Sequence, residues 1–151
     1  MLFDKEVILF DQSVTSNIDA LTLLANQLNE VGSVNDQYKD AILKRESEFP
    51  TGLQTSSVGI AIPHTDADKV VEPQIGFMRL KNPVKFLQMG DNSEVQVKMI
   101  FMLALKQSED QLTMLQTLMN LFQNEEAMSR LQELSSKKEF LEIMKQVGII
   151  K

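Results

Sequence analysis

Val58-Gly59-Ile60-Ala61-Ile62-Pro63-His64 is the stretch on which the reading of this chain turns. Its first five residues are apolar, and a run that short reads as a buried strand. Gly59 inside it marks the close approach of another backbone. Pro63 has no N–H to give, so the ladder must stop there, and it holds Ile62 in extended geometry. The one histidine of the chain, His64, therefore follows directly on a strand end. In α/β folds, ligand sites lie outside the carboxyl ends of strands.

Working outward, Phe49-Pro50-Thr51-Gly52-Leu53 must end whatever helix precedes it, and Gln54 to Ser57 reads as a polar loop. A helix is expected from about Asp36 to Glu48. Before it, Ile18, Leu21, Leu24, Ala25 and Leu28 recur at helical spacing, with Ser16 and Asp19 as a capping signal and Gly32 as a stop. Glu6 to Phe10 is a short strand candidate. After His64, strands are expected near Gln74 to Leu80 and Val95 to Lys106. Lys81-Asn82-Pro83 and Gly90-Asp91-Asn92-Ser93 read as turns between them. The last third is helical. Ser108 and Gln111 form a capping-box pattern, and Leu112, Leu115, Leu118, Met119 and Phe122 fall along one face. Two short amphipathic helices follow, near 125–134 and 137–147. Helices at both ends around a set of strands predict an α/β sandwich of one sheet covered by helices.

The chain of 151 residues fits one domain, 1–151, with a full core. It is 43% hydrophobic and 24% charged, as globular proteins are. Its longest apolar run, Met99 to Leu105, is far short of the roughly 20 residues that cross a bilayer. The N-terminus lacks the basic start and apolar stretch of a signal peptide. There is no cysteine, which excludes disulfides and thiolate metal sites and agrees with a cytoplasmic address. The net charge of -6, with no clustered basic stripe, argues against nucleic acid. It suits a basic protein partner equally with plain solubility.

The chemistry centres on His64. A neutral imidazole is a nitrogen nucleophile that needs no strong base. Thr65 and Asp66 are placed to orient it. A phosphorylated imidazole would need a cation nearby, and Arg45 is the best placed, with Thr51 and backbone N–H groups near Gly52 and Ser56-Ser57 as neutral donors. Each of these also has a plain structural reading. A lone histidine can simply end a strand, and Arg45 can sit at a helix C-terminus for its dipole. No zinc ligand set, nucleophile elbow or glycine-rich phosphate loop is present, and no metal or cofactor is expected.

Arg45-Glu-x-Glu-Phe-Pro-Thr-Gly52, followed by Gly59-Ile-Ala-Ile-Pro-His64, resembles the signature of enzyme IIA of the phosphoenolpyruvate-dependent sugar phosphotransferase system, in its fructose/mannitol superfamily. Phe-Pro-Thr-Gly, Pro-His-Thr-Asp and Gln111-Leu-x-x-Leu-Gln116 are most similar to the galactitol-type branch. The resemblance implies a mixed sheet flanked by helices on both sides. It implies that His64 accepts a phosphoryl group from phospho-HPr and passes it to a cysteine of enzyme IIB. The sugar would be bound by the membrane enzyme IIC. Arg45 would stabilise the phosphoryl group, with Thr51 and Ser57 as further members of the pocket, and the superfamily pattern favours Nε2 as the phosphorylated nitrogen. Many members carry a second histidine where this chain has Gln111, which is open to an active-site role or to closing the cap with Ser108. Two other readings remain: a nitrogen-type regulatory relative, and an interaction domain in which His64 is structural.

Overall fold

Ile75, Phe77, Met99, Phe101 and Leu103 are buried on one face of a sheet, and Met78, Leu80, Ile100, Met102 and Ala104 on the other. Consecutive side chains of a strand point to opposite faces, so runs this uniformly apolar need cover on both. A computed structural model, which describes residues 2–150 apart from the side chain of Ser108, supplies that cover. The elements run β1 (Ile8–Gln12), α1 (Asn17–Glu30), α2 (Tyr38–Glu48), β2 (Gly52–Gln54), β3 (Gly59–Ala61), a 3-10 turn (Ala67–Lys69), β4 (Gln74–Leu87), β5 (Glu94–Ala104), α3 (Ser108–Phe122), α4 (Glu125–Glu133) and α5 (Lys137–Gln146).

The five strands lie in the order β1-β4-β5-β3-β2. β1 is parallel to β4 and β3 is parallel to β5, while β4 with β5 and β2 with β3 are antiparallel. The sheet is thus mixed. Leu21, Leu24, Leu28, Tyr38 and Ile42 of α1 and α2 fill one face. Leu118, Leu121, Phe122, Met128, Leu131, Phe140, Ile143 and Met144 of α3, α4 and α5 fill the other. On that second face Phe77 stacks between Phe101 and Phe140, with ring centroids 5.0 and 4.5 Å away. Arg79 is 3% exposed and projects there too. It donates to Asp11 Oδ1, to Leu131 O at 3.1 Å and to Leu134 O, giving the end of α4 partners for its last carbonyls.

The start of α1 is as expected: Ser16 Oγ accepts from the Asp19 N–H at 3.1 Å, and Gly32 follows the helix at φ +81°. Four readings change. β1 begins two residues later than expected, because Glu6 takes a positive φ of 51° and turns the chain first. The polar segment from Gln54 is not all loop. Gly52–Gln54 pairs with β3 as a three-residue strand, too short to show a period. Lys81-Asn82-Pro83 does not end β4, which runs on to Leu87. The register slips between Arg79 and Val84, a bulge where proline's missing donor costs nothing, and the pairing with β1 has already ended at Leu80. In α3, Leu118 and Phe122 are buried, but Leu112 and Met119 are exposed, so the apolar stripe is narrower than the periodicity suggests.

Gly59 fulfils its sequence reading in a measurable way. A Cβ there would lie 2.2 Å from Gln96 O and 2.7 Å from Val95 Cγ1. Backbone cannot yield as a flexible side chain can, so Gly59→Ala must push β3 off β5. The expected cost is about 3 kcal/mol, at the upper end for overpacking, read as a lowered midpoint in urea denaturation. An unchanged midpoint would mean that the two strands are not held this closely.

Candidate active site

Pro63 is buried and ends β3, and its carbonyl accepts from the Leu103 N–H at 2.9 Å. This extends the parallel pairing with β5 to His64 itself, which bridges Leu103. The Leu103 carbonyl is taken in turn by the Tyr38 hydroxyl at 2.8 Å. Tyr38 is completely buried, and burial pushes its phenol far above the ordinary range, so it remains a donor. The peptide beside His64 is therefore held from the sheet and from α2.

His64 is half-buried, and its Nδ1 lies 2.8 Å from Ile62 O. A carbonyl only accepts, so in the neutral ring the proton sits on Nδ1 and the lone pair on Nε2. The residue that Pro63 holds extended is the one whose carbonyl selects the tautomer. Chemically, the site offers one neutral nucleophilic nitrogen at a fixed place at the carboxyl end of β3.

The residues singled out beside His64 divide. Ile62 N–H donates to Thr51 O at 3.3 Å, continuing the β2–β3 register. Two residues further along these two segments lie Phe49, before β2, and His64, after β3. Arg45, in the last turn of α2, rests its guanidinium 4.7 Å from the centre of the exposed Phe49 ring. Arg45 and His64 are thus carried to the same end of the sheet. Gln111 joins them: its Nε2 donates to Thr65 O at 3.1 Å, tying α3 to the residue after His64. Gln107 occupies the N-cap position of α3, and the Ser108 half of the expected capping box lies outside the described residues.

Ser57 does not belong to this group, and the expectation for it is corrected. It sits in the Thr55–Val58 turn that joins β2 to β3, where Thr55 N–H donates to Val58 O. Gly59 pairs beside Val97 while His64 bridges Leu103, so the length of β3 separates Ser57 from the imidazole. The Ser56-Ser57 backbone is at that far end as well. Reading 54–57 as a loop hid the hairpin that carries it away. Thr51 is at the right end but is 4% exposed. Its N–H and its hydroxyl both go to Glu46, at 2.8 and 2.7 Å, which leaves it no donor to offer an anion.

Glu46 is the residue that sequence reasoning passed over. It is 7% exposed and has no cation among its described partners. The signal was present: Tyr38, Ile42 and Glu46 are spaced four apart and form the buried stripe of α2. Burial raises its carboxyl above the usual range, against the lowering effect of the two bonds from Thr51. The unfolded chain releases this proton at lower pH than the folded one. Stability therefore falls as pH climbs from the ordinary carboxylate value through the raised one, and stays lower above it. Glu46→Gln removes that loss. The stability of the Gln variant relative to wild type is expected to rise across this window, measured by urea midpoints from pH 4 to 7.

A mixed five-stranded sheet covered by helices on both faces is a fold this chain shares with solved enzyme IIA domains. Enzyme IIA mannitol of Escherichia coli superposes with a TM-score of 0.77 at 26% identity, over 92% of this chain and 96% of that one. The complex of enzyme IIAMTL and phosphorylated enzyme IIBMTL from Escherichia coli matches with a TM-score of 0.80 at 24% identity, covering 97% and 98%. The protein is a phosphotransferase component. It belongs to the family described as "Phosphoenolpyruvate-dependent sugar phosphotransferase system, EIIA 2", whose model matches residues 1–147. Among curated relatives, the galactitol-specific EIIA component of the phosphotransferase system in Escherichia coli K12 is 34% identical over 113 residues, 73% of this chain and 75% of that one.

Proposed function

We propose that this chain, acting as one carrier domain over 1–151, bears a phosphoryl group on Nε2 of His64 between phospho-HPr and a cysteine of its cognate enzyme IIB. The observation that carries the reading is the Nδ1–Ile62 O bond, which leaves Nε2 as the free nucleophile. The lone pair of Nε2 attacks phosphorus as the bond to the donor's imidazole breaks. The cysteine thiolate then displaces Nε2 in the same way. Transfer of this kind gains little from covalent help and depends on in-line placement and neutralisation of the equatorial oxygens. Arg45 is the cation for that task, and its planar fork matches two phosphoryl oxygens. Nδ1 keeps its proton on Ile62 O throughout, so the phosphorylated ring holds its orientation.

Galactitol or a related polyol or sugar is the transported substrate in this reading, supported by the likeness to galactitol-specific EIIA components. The IIB partner is supported by the likeness to a IIA bound to phosphorylated IIB. The sugar would be held by membrane enzyme IIC, with this chain working in the cytoplasm. No helix among the described residues is long and apolar enough to cross a membrane.

The test is intact mass after incubation with phosphoenolpyruvate, enzyme I and HPr. One acid-labile phosphoryl group, discharged on adding a galactitol-type IIB, is the expected result. No added mass with active donors would defeat the carrier reading. A phosphorylated form that no sugar-type IIB discharges would favour a regulatory role.

A further inference from the structure

We propose that Glu46 is a positioning residue for transfer at His64, acting through Thr51 and Ile62 on the imidazole. The proposal rests on the carrier reading of His64 and extends it to the α2–β2 junction. Four hydrogen bonds form one path. Glu46 Oε2 accepts from Thr51 N–H at 2.8 Å and Oε1 from Thr51 Oγ–H at 2.7 Å. Thr51 O accepts from Ile62 N–H at 3.3 Å, and Ile62 O accepts from His64 Nδ1–H at 2.8 Å.

Each step along that path enters a residue on one peptide unit and leaves on the next. What it transmits is therefore orientation, not conjugated charge. The carboxylate holds both donors of Thr51 at once and so fixes where its carbonyl points. That carbonyl is the outermost backbone acceptor of the β2–β3 pair on the His64 side. The longest bond on the path, between Thr51 and Ile62, is the one the carboxylate supports. The five-residue reach from Glu46 to Thr51 also encloses Phe49 and Pro50. Phe49 N–H returns to Arg45 O at 2.7 Å, so the same lock sets the ring on which the Arg45 guanidinium rests.

The arrangement carries a desolvation cost that the two bonds from Thr51 offset. The Glu46 carboxylate is desolvated by burial and lines a small, mainly apolar cavity with Ile18, Leu21, Leu43 and Leu87, at which Asn17 and Ser47 are the other polar residues. A leucine there would extend the Tyr38–Ile42 stripe without that cost. It would leave the Thr51 N–H and hydroxyl buried and unmatched.

The experiment compares Glu46→Ala, Glu46→Gln and Thr51→Val with the wild-type chain. Imidazole 15N shifts report the His64 tautomer, and rapid-quench assays report transfer from phospho-HPr as a function of donor concentration. The expected result for Glu46→Ala is a mixed tautomer, with Nε2–H now present. The first-order transfer rate should fall by about 10- to 100-fold, in line with misplacement by about 1 Å, with the half-saturating donor concentration little changed. Glu46→Gln should recover most of the rate, since its amide can accept from the Thr51 N–H and donate to Oγ. A folded Glu46→Ala with wild-type tautomer and rate overturns the proposal. So does a slow variant whose tautomer is unchanged, which would place the effect elsewhere. If Glu46→Ala does not fold, Thr51→Val decides in the same two readouts, because it deletes one of the two bonds and keeps the shape. The tautomer readout needs no phosphate. A wild-type chain that is never phosphorylated would thus sink the carrier reading and leave the positioning of the ring still measured.

Discussion

Replacing His64 with alanine is expected to abolish phosphoryl acceptance while the chain stays folded. The chain has no second histidine and no cysteine, so no other side chain of comparable nucleophilicity can take over. Acceptance should fall below detection, measured as the absence of acid-labile mass after exposure to phospho-HPr. The structural cost is small by comparison. His64 is half-buried and, among the described residues, its ring makes one hydrogen bond, to Ile62 O. Losing such a bond costs about 1 kcal/mol, and about 1–3 kcal/mol where the Ile62 carbonyl, on a residue 1% exposed, is left without a partner. The segment itself is held by backbone groups that the substitution leaves alone: Pro63 O on Leu103 N–H and Thr51 O on Ile62 N–H. A midpoint shift of a few degrees with a native spectrum is therefore the expected companion result. An unfolded variant would instead make His64 a structural residue. A folded variant that still takes up one acid-labile phosphoryl group would move the chemistry to another nitrogen.

What the sequence disclosed depended on how local the cause was. Pro63 ends β3 for reasons of covalent chemistry, so the place of His64 was legible from seven residues. Ser16 caps α1 through a bond to a residue three positions on, which is equally local. Gly59 announced a close neighbour without saying which, and the neighbour is Gln96, 37 positions away. β2 was illegible because three residues cannot show a period, and its existence depends on β3 being there to pair with. Missing it put Ser57 beside Thr51 in the imagined pocket, when the hairpin sends them to opposite ends. Pro83 misled in the other direction. Proline usually ends a strand, but here it falls where β4 bulges and has lost its neighbour β1. Glu46 was the most instructive omission. The sequence reading gave it no role of its own, while its spacing from Tyr38 and Ile42 had already placed it inside.

Arg45→Ala is expected to slow phosphoryl transfer far more than it destabilises the protein. Two structural contributions would be lost. The guanidinium lies over Phe49 at 4.7 Å, a contact worth about 0.5–1 kcal/mol at an exposed site. As the basic residue in the last turn of α2, it also complements the helix dipole by about 0.3–1 kcal/mol. Together these predict a loss of about 1 kcal/mol, because the two measure overlapping features of one half-exposed side chain. The kinetic loss should be larger, on the order of 1,000-fold, the low end of what an arginine contributes to phosphoryl transfer. Arg45→Lys separates the two causes. Lysine keeps the positive charge for the dipole and can sit over Phe49, so stability should be nearly restored. It lacks the planar fork that meets two phosphoryl oxygens, so the rate should recover only in part. Single-turnover transfer from phospho-HPr, set beside urea midpoints for the same three proteins, provides the comparison. If rate and stability move together through the series, Arg45 acts by holding Phe49 and the end of α2. If lysine restores the midpoint but not the rate, the guanidinium meets the phosphoryl group itself.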